Sequence, residues 1–281
     1  MAHTTVEGPR FEKRAIQRYP VRLSTDWCVP DISGCCKMDN GMVVLCDWQN
    51  IKLKLFDTNF NFVSELTLPY HPWNLCRTVG DTVAVTVNDG KEVEGNINQV
   101  HFFEVKGMTI SPVGKMSLNH TCCAVVYFRD ELYIGTRNAI YKYSMLGQPL
   151  GKMYEDNSMN DTVCKFAFSK DGSKIYIPNM GRGVLVTSDL TGRIENVLKN
   201  PERPMHPSAV TVLPNGHVVV CIYSTHEVML ADQAGKSFLS TLACNGEGIV
   251  KPKSVWFHTS TNELIVGQRS NNLCVIELQQ M

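Results

Sequence analysis

The sequence lacks an excess of charge of either sign, a long apolar run and an export signal. Lys+Arg and Asp+Glu both number 27 in 281 residues, so the formal net charge is zero. A protein that binds nucleic acid or membranes through its overall charge would be basic, so only a local basic face remains open. No run approaches the roughly 18 apolar residues of a membrane helix, and the N-terminus has no apolar signal core. We therefore expect a cytoplasmic protein that does not enter a membrane.

Motifs of several enzyme classes are also missing. The chain has no G-x-S-x-G elbow, no P-loop and no G-x-G-x-x-G turn. None of its 11 cysteines forms a C-x-x-C pair of the kind that opens a zinc site. Most cysteines stand inside apolar runs, so we expect reduced, buried thiols. The sequence predicts neither a bound metal nor a cofactor, and we expect this chain not to be an enzyme.

Short β-forming runs recur along the chain at similar intervals. Such runs recur about every 40 to 50 residues, which is the length of one four-stranded propeller blade. Asn-Gly and Asp-Gly turns precede several of the runs and favour tight hairpins. No segment shows a helical period of useful length. The six runs are MVVLC from Met42, TVAVTV from Thr82, LYIG from Leu132, KIYI from Lys174, HVVVCIY from His217 and ELIVG from Glu263.

Residues near the two ends of the chain are predicted to form one blade together. The sixth unit supplies only three strands before the sequence stops, whereas residues 11–22 have strand composition and precede the first complete unit. Docking them as the missing fourth strand would pair the open edges and close the ring. The sequence thus predicts an all-β, six-bladed propeller forming one domain over residues 1–281. We expect residues 1–10 to be a flexible N-terminus.

A family resemblance agrees with this fold. The stretch Asp47–Phe56 (DWQNIKLKLF) resembles the NHL repeat, and weaker copies follow Asn179 and Gln268. The whole chain is similar to the C-terminal propellers of tripartite-motif proteins (RING, B-box and coiled coil), particularly the divergent forms abundant in molluscs. The resemblance implies the recognition domain of a ubiquitin ligase. The clustered Cys/His ligands of a RING or B-box are absent from these residues, so ubiquitin transfer is not expected of them.

One face of such a ring carries the candidate binding residues. The loops between strands b and c, and between strand d and the next strand a, emerge together around the central channel. Exposed Trp and Arg are favoured at protein interfaces and also suit single-stranded RNA. Alternatively, the tryptophans pack between blades and the arginines are only solvated. The predicted ligand-binding face comprises Trp27, Trp48, His71, Trp73, Arg137, Arg182, His226 and Arg269.

Three functions remain open from the sequence. The first is a monomeric propeller that binds a protein or peptide partner, and the second is RNA binding, which a continuous basic surface across Arg137, Arg182 and Arg269 would favour. The third, a metal-dependent hydrolase or lyase, rests on His71, His120 and His206, which share the d–a position in three blades. The long second-blade insertion, Asn88–Asn98, is acidic and disfavours RNA on its side of the ring.

Overall fold

A computed structural model describes residues 11–89 and 97–280 as six antiparallel sheets of four strands each. Within blades 1 to 5 the strands follow chain order from the innermost strand a to the outermost strand d. The six runs that mark the repeat all form the second strand of a blade. Because the sequence breaks between runs at turn residues, each blade is a simple meander. The all-β, six-bladed prediction is therefore confirmed.

The first three blades comprise strands β2 to β13. Blade 1 contains β2 (Ile32–Lys37), β3 (Val43–Asp47), β4 (Lys52–Phe56) and β5 (Phe62–Thr67). Blade 2 contains β6 (His71–Arg77), β7 (Thr82–Asn88), β8 (Asn98–Lys106) and β9 (Thr109–Ser117). Blade 3 contains β10 (Ala124–Phe128), β11 (Glu131–Gly135), β12 (Ala139–Ser144) and β13 (Pro149–Glu155). The predicted insertion separates β7 from β8, and its residues 90–96 lie outside the described part of the chain.

The remaining blades comprise strands β14 to β24 together with β1. Blade 4 contains β14 (Ala167–Phe168), β15 (Lys174–Asn179), β16 (Val184–Asp189) and β17 (Ile194–Leu198). Blade 5 contains β18 (Pro207–Val212), β19 (Val218–Ile222), β20 (Glu227–Ala231) and β21 (Phe238–Ala243), followed by a 3-10 turn at Asn245–Glu247. Blade 6 contains β22 (Pro252–His258), β23 (Glu263–Gln268), β24 (Asn272–Gln280) and, outermost, β1 (Phe11–Pro20).

Strand β1 closes the ring, as the sequence predicts. It pairs antiparallel with β24 from Phe11 opposite Gln280 to Pro20 opposite Asn272. The strand ends two residues before the end of the predicted range 11–22, where its partner β24 begins at Asn272, although Val21 N still donates to the Asn271 carbonyl (2.9 Å). The N-terminal and C-terminal strands thereby remove each other's open edge. The predicted flexible segment, residues 1–10, lies outside the described residues.

A buried ion network holds the segment that leads from β1 into blade 1. Lys54 is fully buried, and its Nζ donates to Asp26 Oδ2 (2.6 Å), Asp47 Oδ2 (2.8 Å) and the carbonyl of Val21 (2.9 Å). Lys52 Nζ contacts Asp26 Oδ1 at 3.3 Å. Buried charges persist only when partners replace their lost hydration, and here each ammonium meets carboxylates. The network therefore ties ring closure to the first blade.

Hydrophobic packing joins each blade to its neighbours. Six buried clusters among the described residues each span two adjacent blades, such as Leu53 and Leu55 of blade 1 with Val85 and Phe103 of blade 2. The alternation of β-strands presents one apolar face to each neighbouring sheet. The ring is consequently one continuous core interrupted only by the axial channel.

All eleven cysteines are free, and eight of them are buried. Burial raises the pKa of the Cys35 thiol to about 11 and of the Cys76 thiol to about 12, because a thiolate would lose its hydration. These side chains behave as the small hydrophobes that the sequence predicts. In the described residues no helix reaches the length and apolarity needed to cross a membrane.

Candidate functional site

The b–c and d–a connections form one face of the ring, which we call the candidate face, and six of the eight predicted residues lie in these connections. Trp48, Arg137, Arg182, His226 and Arg269 all follow a second strand. Trp27 lies in the β1–β2 connection, and 58% of its surface is exposed. It is therefore not wedged between blades. His71 and Trp73 are placed differently from the sequence expectation, as explained next.

His71 and Trp73 belong to strand β6 and not to the loop before it. Pairing with β7 begins at His71, opposite Asn88, and the register of the two strands shifts by one residue at a β-bulge at Trp73. A bulge inserts one extra residue and re-aims its side chain. The sequence could not show it, because a bulge depends on the register of two strands. The result brings both rings beside the blade 1 loop.

Trp48, His71 and Trp73 form an aromatic cluster. The Trp48 and His71 rings stack with centroids 4.5 Å apart, while Trp48 and Trp73 meet edge to face at 5.8 Å. His71 Nδ1 lies 2.9 Å from the carbonyl oxygen of Trp48, which orients the imidazole. Stacked and edge-to-face pairs hold aromatic rings in defined orientations. The cluster is thus a rigid platform that joins blades 1 and 2.

Blade 6 adds a cation to this platform. Lys253 Nζ lies 5.8 Å from the centre of the Trp48 ring and 2.7 Å from Asp31 Oδ2. It also lies 6.0 Å from the ring of Tyr223, over which Lys251 is placed at 5.8 Å. An ammonium at this distance from an aromatic face is attracted to the ring. We call Asp31, Trp48, His71, Trp73 and Lys253 together the Trp48 site.

The Trp48 site contains polar atoms without partners. Seven buried side-chain nitrogen or oxygen atoms among residues 11–89 and 97–280 lack a hydrogen bond, and three of them are here. They are Trp48 Nε1, Trp73 Nε1 and Asp31 Oδ1. Buried polar groups are almost always satisfied, so such a group calls for a water, an ion or a ligand. Two donors and one acceptor of the Trp48 site are therefore buried without a hydrogen-bond partner among the described residues.

The arginines of the candidate face do not form a continuous basic surface. Arg137 lies 3.7 Å from Asp161, and Arg182 lies 3.6 Å from Asp156. Arg269 is exposed, and its backbone bridges to Asp31 beside the Trp48 site. The two pairings offset the positive charge in blades 3 and 4. On the candidate face, Lys251 and Arg269 at blades 5 and 6 are cationic side chains that contact no carboxylate among residues 11–89 and 97–280.

The histidines that share the d–a position have separate surroundings. His71 stacks on Trp48, whereas His120 stacks on Tyr141 at 4.4 Å and its Nε2 lies 2.6 Å from the Tyr143 hydroxyl. Burial lowers the pKa of His120 because the imidazolium would lose its hydration. Within the described residues no group of three or more His, Cys, Asp or Glu side chains is arranged to hold a metal ion.

Sequence reasoning missed two members of the site's surroundings, Asp31 and Tyr223. Asp31 precedes the first strand of blade 1, and Tyr223 follows the second strand of blade 5. Strand pairing within blade 1 brings Asp31 to Trp48, whose N donates to the Asp31 carbonyl (2.9 Å), whereas Tyr223 of blade 5 comes near the site only across the ring, through Lys253. One signal was present, since Tyr223 occupies the b–c position that Trp48 occupies in blade 1. His226, in the same loop, has a left-handed backbone (φ 59°), and its Nδ1 accepts a hydrogen bond from Lys251 N at 3.3 Å.

Comparison with known proteins supports the fold. No protein-family model and no curated protein sequence matches the chain. A solved streptogramin B lyase is similar over 96% of this chain and 98% of its own, with a TM-score of 0.65 and 12% identity. A luciferin-regenerating enzyme covers 96% and 95% (TM-score 0.67, 13% identity). A protein of unknown function from Bacteroides thetaiotaomicron covers 94% and 76% (TM-score 0.72, 11% identity). At these identities the likeness shows a shared propeller fold alone.

Proposed function

We propose that this propeller is a non-catalytic recognition domain that binds a protein or peptide partner through the Trp48 site. The observation that carries the proposal is the coincidence of an aromatic platform with two unpartnered indole N–H groups and one unpartnered carboxylate oxygen. A peptide group supplies the complementary acceptor and donor. Interface anchors are typically Trp side chains in such desolvated surroundings. Exposed Trp27 offers additional contact area on the same face.

More specifically, we propose that the chain is an NHL-type propeller, similar to those of tripartite-motif proteins. In this role it is the substrate receptor of a ubiquitin ligase. This proposal is supported by the Asp47–Phe56 repeat, in which Asp47 Oδ1 accepts from Asp31 N (3.0 Å) and Asp47 Oδ2 accepts from Asn50 Nδ2 (2.8 Å). The Asp and Asn of the repeat thus shape the loop that presents Trp48. In this proposal any ubiquitin transfer belongs to a different domain. The propeller acts as a monomer in the reducing cytoplasm, where its free thiols are stable.

RNA binding is the competing function. Single-stranded RNA would also use aromatic stacking, but it needs cations along its phosphates. The carboxylates beside Arg137 and Arg182 weaken that surface on two blades. No observation on the ring therefore favours RNA over a peptide.

Selection from a displayed random peptide library tests the proposal, with a random RNA pool run in parallel at two salt concentrations. We expect a peptide motif to be enriched on the wild-type ring and its affinity to fall at least about tenfold in Trp48→Ala, as for an interface anchor. Leu146→Ala is the matched control, because Leu146 is 89% exposed at a turn of blade 3 away from the candidate face. Loss of binding in both variants, or enrichment of RNA alone, would overturn the proposal.

A further inference from the structure

A cavity of about 440 Å³ occupies the axial channel. Its inner end is lined by residues of the innermost strands at the level of Cys35, Asn74, Lys165 and Ser254. From there it runs to the a–b turns, which it reaches at Lys170, Pro214 and Thr259. This is the end of the ring opposite to the candidate face. Cavities of this size hold small organic molecules.

Lys165 is a cation of this cavity wall without an anionic partner. Its Nζ donates to the carbonyl oxygens of Ser33 (2.7 Å) and Trp73 (2.9 Å) on the other side of the channel. An ammonium has three N–H donors, and among the described residues neither a third acceptor nor a carboxylate is within bonding distance. An ammonium enclosed by protein without a counter-ion is costly. The positive charge of Lys165 is therefore not balanced by an anion among the described residues.

Cysteine side chains form part of the electrostatic surroundings of Lys165. Cys35, Cys46, Cys123 and Cys164 interact electrostatically with Lys165. Burial raises the pKa of Cys35 and Cys46, and the hydrogen bond with Cys123, followed by burial, raises the pKa of Cys164. Burial also lowers the pKa of Lys165 to about 8, because the charged form loses hydration that no anion replaces. At neutral pH Lys165 still carries its proton.

The rest of the cavity suits an apolar body with a negative charge. Its walls include Val125, Phe168, Val210 and Phe257, and no Asp or Glu is among the described residues that line it. Arg77 also lines the cavity, with its terminal nitrogens held by Asp39 at 2.7 and 2.5 Å and its buried Nε without a partner. Lys165, which meets no carboxylate among the described residues, therefore favours an anionic ligand, whereas Arg77 is already paired with Asp39 and its Nε is buried.

We propose that the channel is a binding site for a small amphipathic carboxylate, whose carboxylate group pairs with Lys165 and whose apolar body packs against the Val and Phe side chains of the wall. This site goes beyond recognition at the candidate face, since it opens at the a–b turns and uses side chains outside the Trp48 site, although Lys165 also donates to the backbone carbonyl of Trp73. The carboxylate supplies the counter-ion that Lys165 lacks and accepts its third N–H. No covalent step is involved.

Calorimetric titration with hexanoate, and with hexanamide as its uncharged counterpart, tests the proposal on the intact ring. We expect one hexanoate to bind per chain and the amide to bind at least about tenfold more weakly, as for loss of a charge-assisted hydrogen bond. The affinity for hexanoate should fall about tenfold between pH 7 and pH 9, since the protonated fraction of a lysine with a pKa near 8 falls by that factor. Equal binding of acid and amide, or binding that does not change with pH, would overturn the proposal.

Two variants locate the site. Lys165→Met keeps the length of the side chain and removes its charge, and it should abolish the preference for hexanoate over hexanamide. Lys236→Met is the matched control, because Lys236 is exposed and is not among the residues that line the cavity. Both variants are first compared with the wild type by thermal melting. If Lys165→Met does not fold, the pH dependence of the wild type decides alone. Unchanged hexanoate binding in a folded Lys165→Met protein would reject the site.

Discussion

Two lysines inside the same ring have opposite surroundings. Lys54, in the closing region, is fully buried and meets two carboxylates and a backbone carbonyl. Lys165, in the channel, meets two backbone carbonyls and no carboxylate in the described part of the chain. Both are held in place by short hydrogen bonds. They differ in whether the protein itself supplies the opposite charge.

This difference separates a structural role from a binding role. A buried charge whose partners are complete stabilises one conformation of the chain, and removing it leaves its partners uncompensated. A charge or polar atom that lacks some of its ionic or hydrogen-bond partners can bind another molecule. The same distinction applies to the Trp48 site, where Asp31 Oδ1, Trp48 Nε1 and Trp73 Nε1 have no partner among the described residues, whereas Asp47, next to Trp48 in sequence, has its cation in Lys54.

The largest effect is expected from removing the closing strand. Deletion of residues 11–20 would leave the β24 edge unpaired and would detach the chain that carries Val21 and Asp26 to Lys54. We expect loss of cooperative unfolding, measured by thermal denaturation and circular dichroism. Glu12→Ala serves as the control, because this β1 side chain is exposed. A deleted protein that melts like the wild type would contradict the closure of the ring by β1.

A second test compares the two lysines directly. Lys54→Met leaves the carboxylates of Asp26 and Asp47 without their shared cation, so we expect a loss of about 3–5 kcal/mol in the free energy of unfolding. Lys165→Met removes a charge that has no counter-ion, and its carbonyl partners can be hydrated through the channel, so we expect a loss below about 1.5 kcal/mol. Urea denaturation at pH 7 measures both. Equal losses would show that the two surroundings are energetically alike.

The pH dependence of the free energy of unfolding tests the surroundings of Lys165 in a second way. The native pKa of Lys165 is about 8, below its ordinary value of 10.5, so the unfolded chain binds more protons above pH 8. The contribution of Lys165 to the free energy of unfolding therefore rises with pH. Between pH 7 and pH 9 the wild type should gain about 1.4 kcal/mol relative to Lys165→Met. Buried thiols with raised pKa act in the opposite direction above pH 9, but both proteins carry them and their effect cancels. A difference that is constant with pH would reject the low native pKa.

The fold could be predicted from the sequence because each blade repeats short local patterns of strand-forming and turn-forming residues. The second strand of each blade is an uninterrupted β-forming run, and turns such as Asp39-Asn40-Gly41 separate the runs, with Gly41 at a φ of 83° that only glycine adopts easily. Closure by residues 11–20 followed from counting strands at the two ends. Trp48 was identifiable as well, because it directly follows such a run.

The chemistry of the sites was less accessible from the sequence. Asp31, Trp73 and Lys253 come from three different blades, and their proximity depends on ring closure and on the β-bulge at Trp73. Lys165 stands beside a two-residue strand, β14, whose weak pattern gives no sign of a channel position. Whether a lysine has a carboxylate partner depends on contacts across the ring, which local spacing does not encode.

The central claim, that the Trp48 site binds a peptide through its unpartnered indole N–H groups, is tested most directly by Trp48→Phe and Trp73→Phe. Each change keeps an aromatic ring on the platform and removes one donor. With a selected peptide, isothermal titration should show affinities lower by about five- to tenfold, as for a lost hydrogen bond, at an unchanged melting temperature. Unchanged affinity in both variants would contradict the claim and assign the two indoles to packing alone.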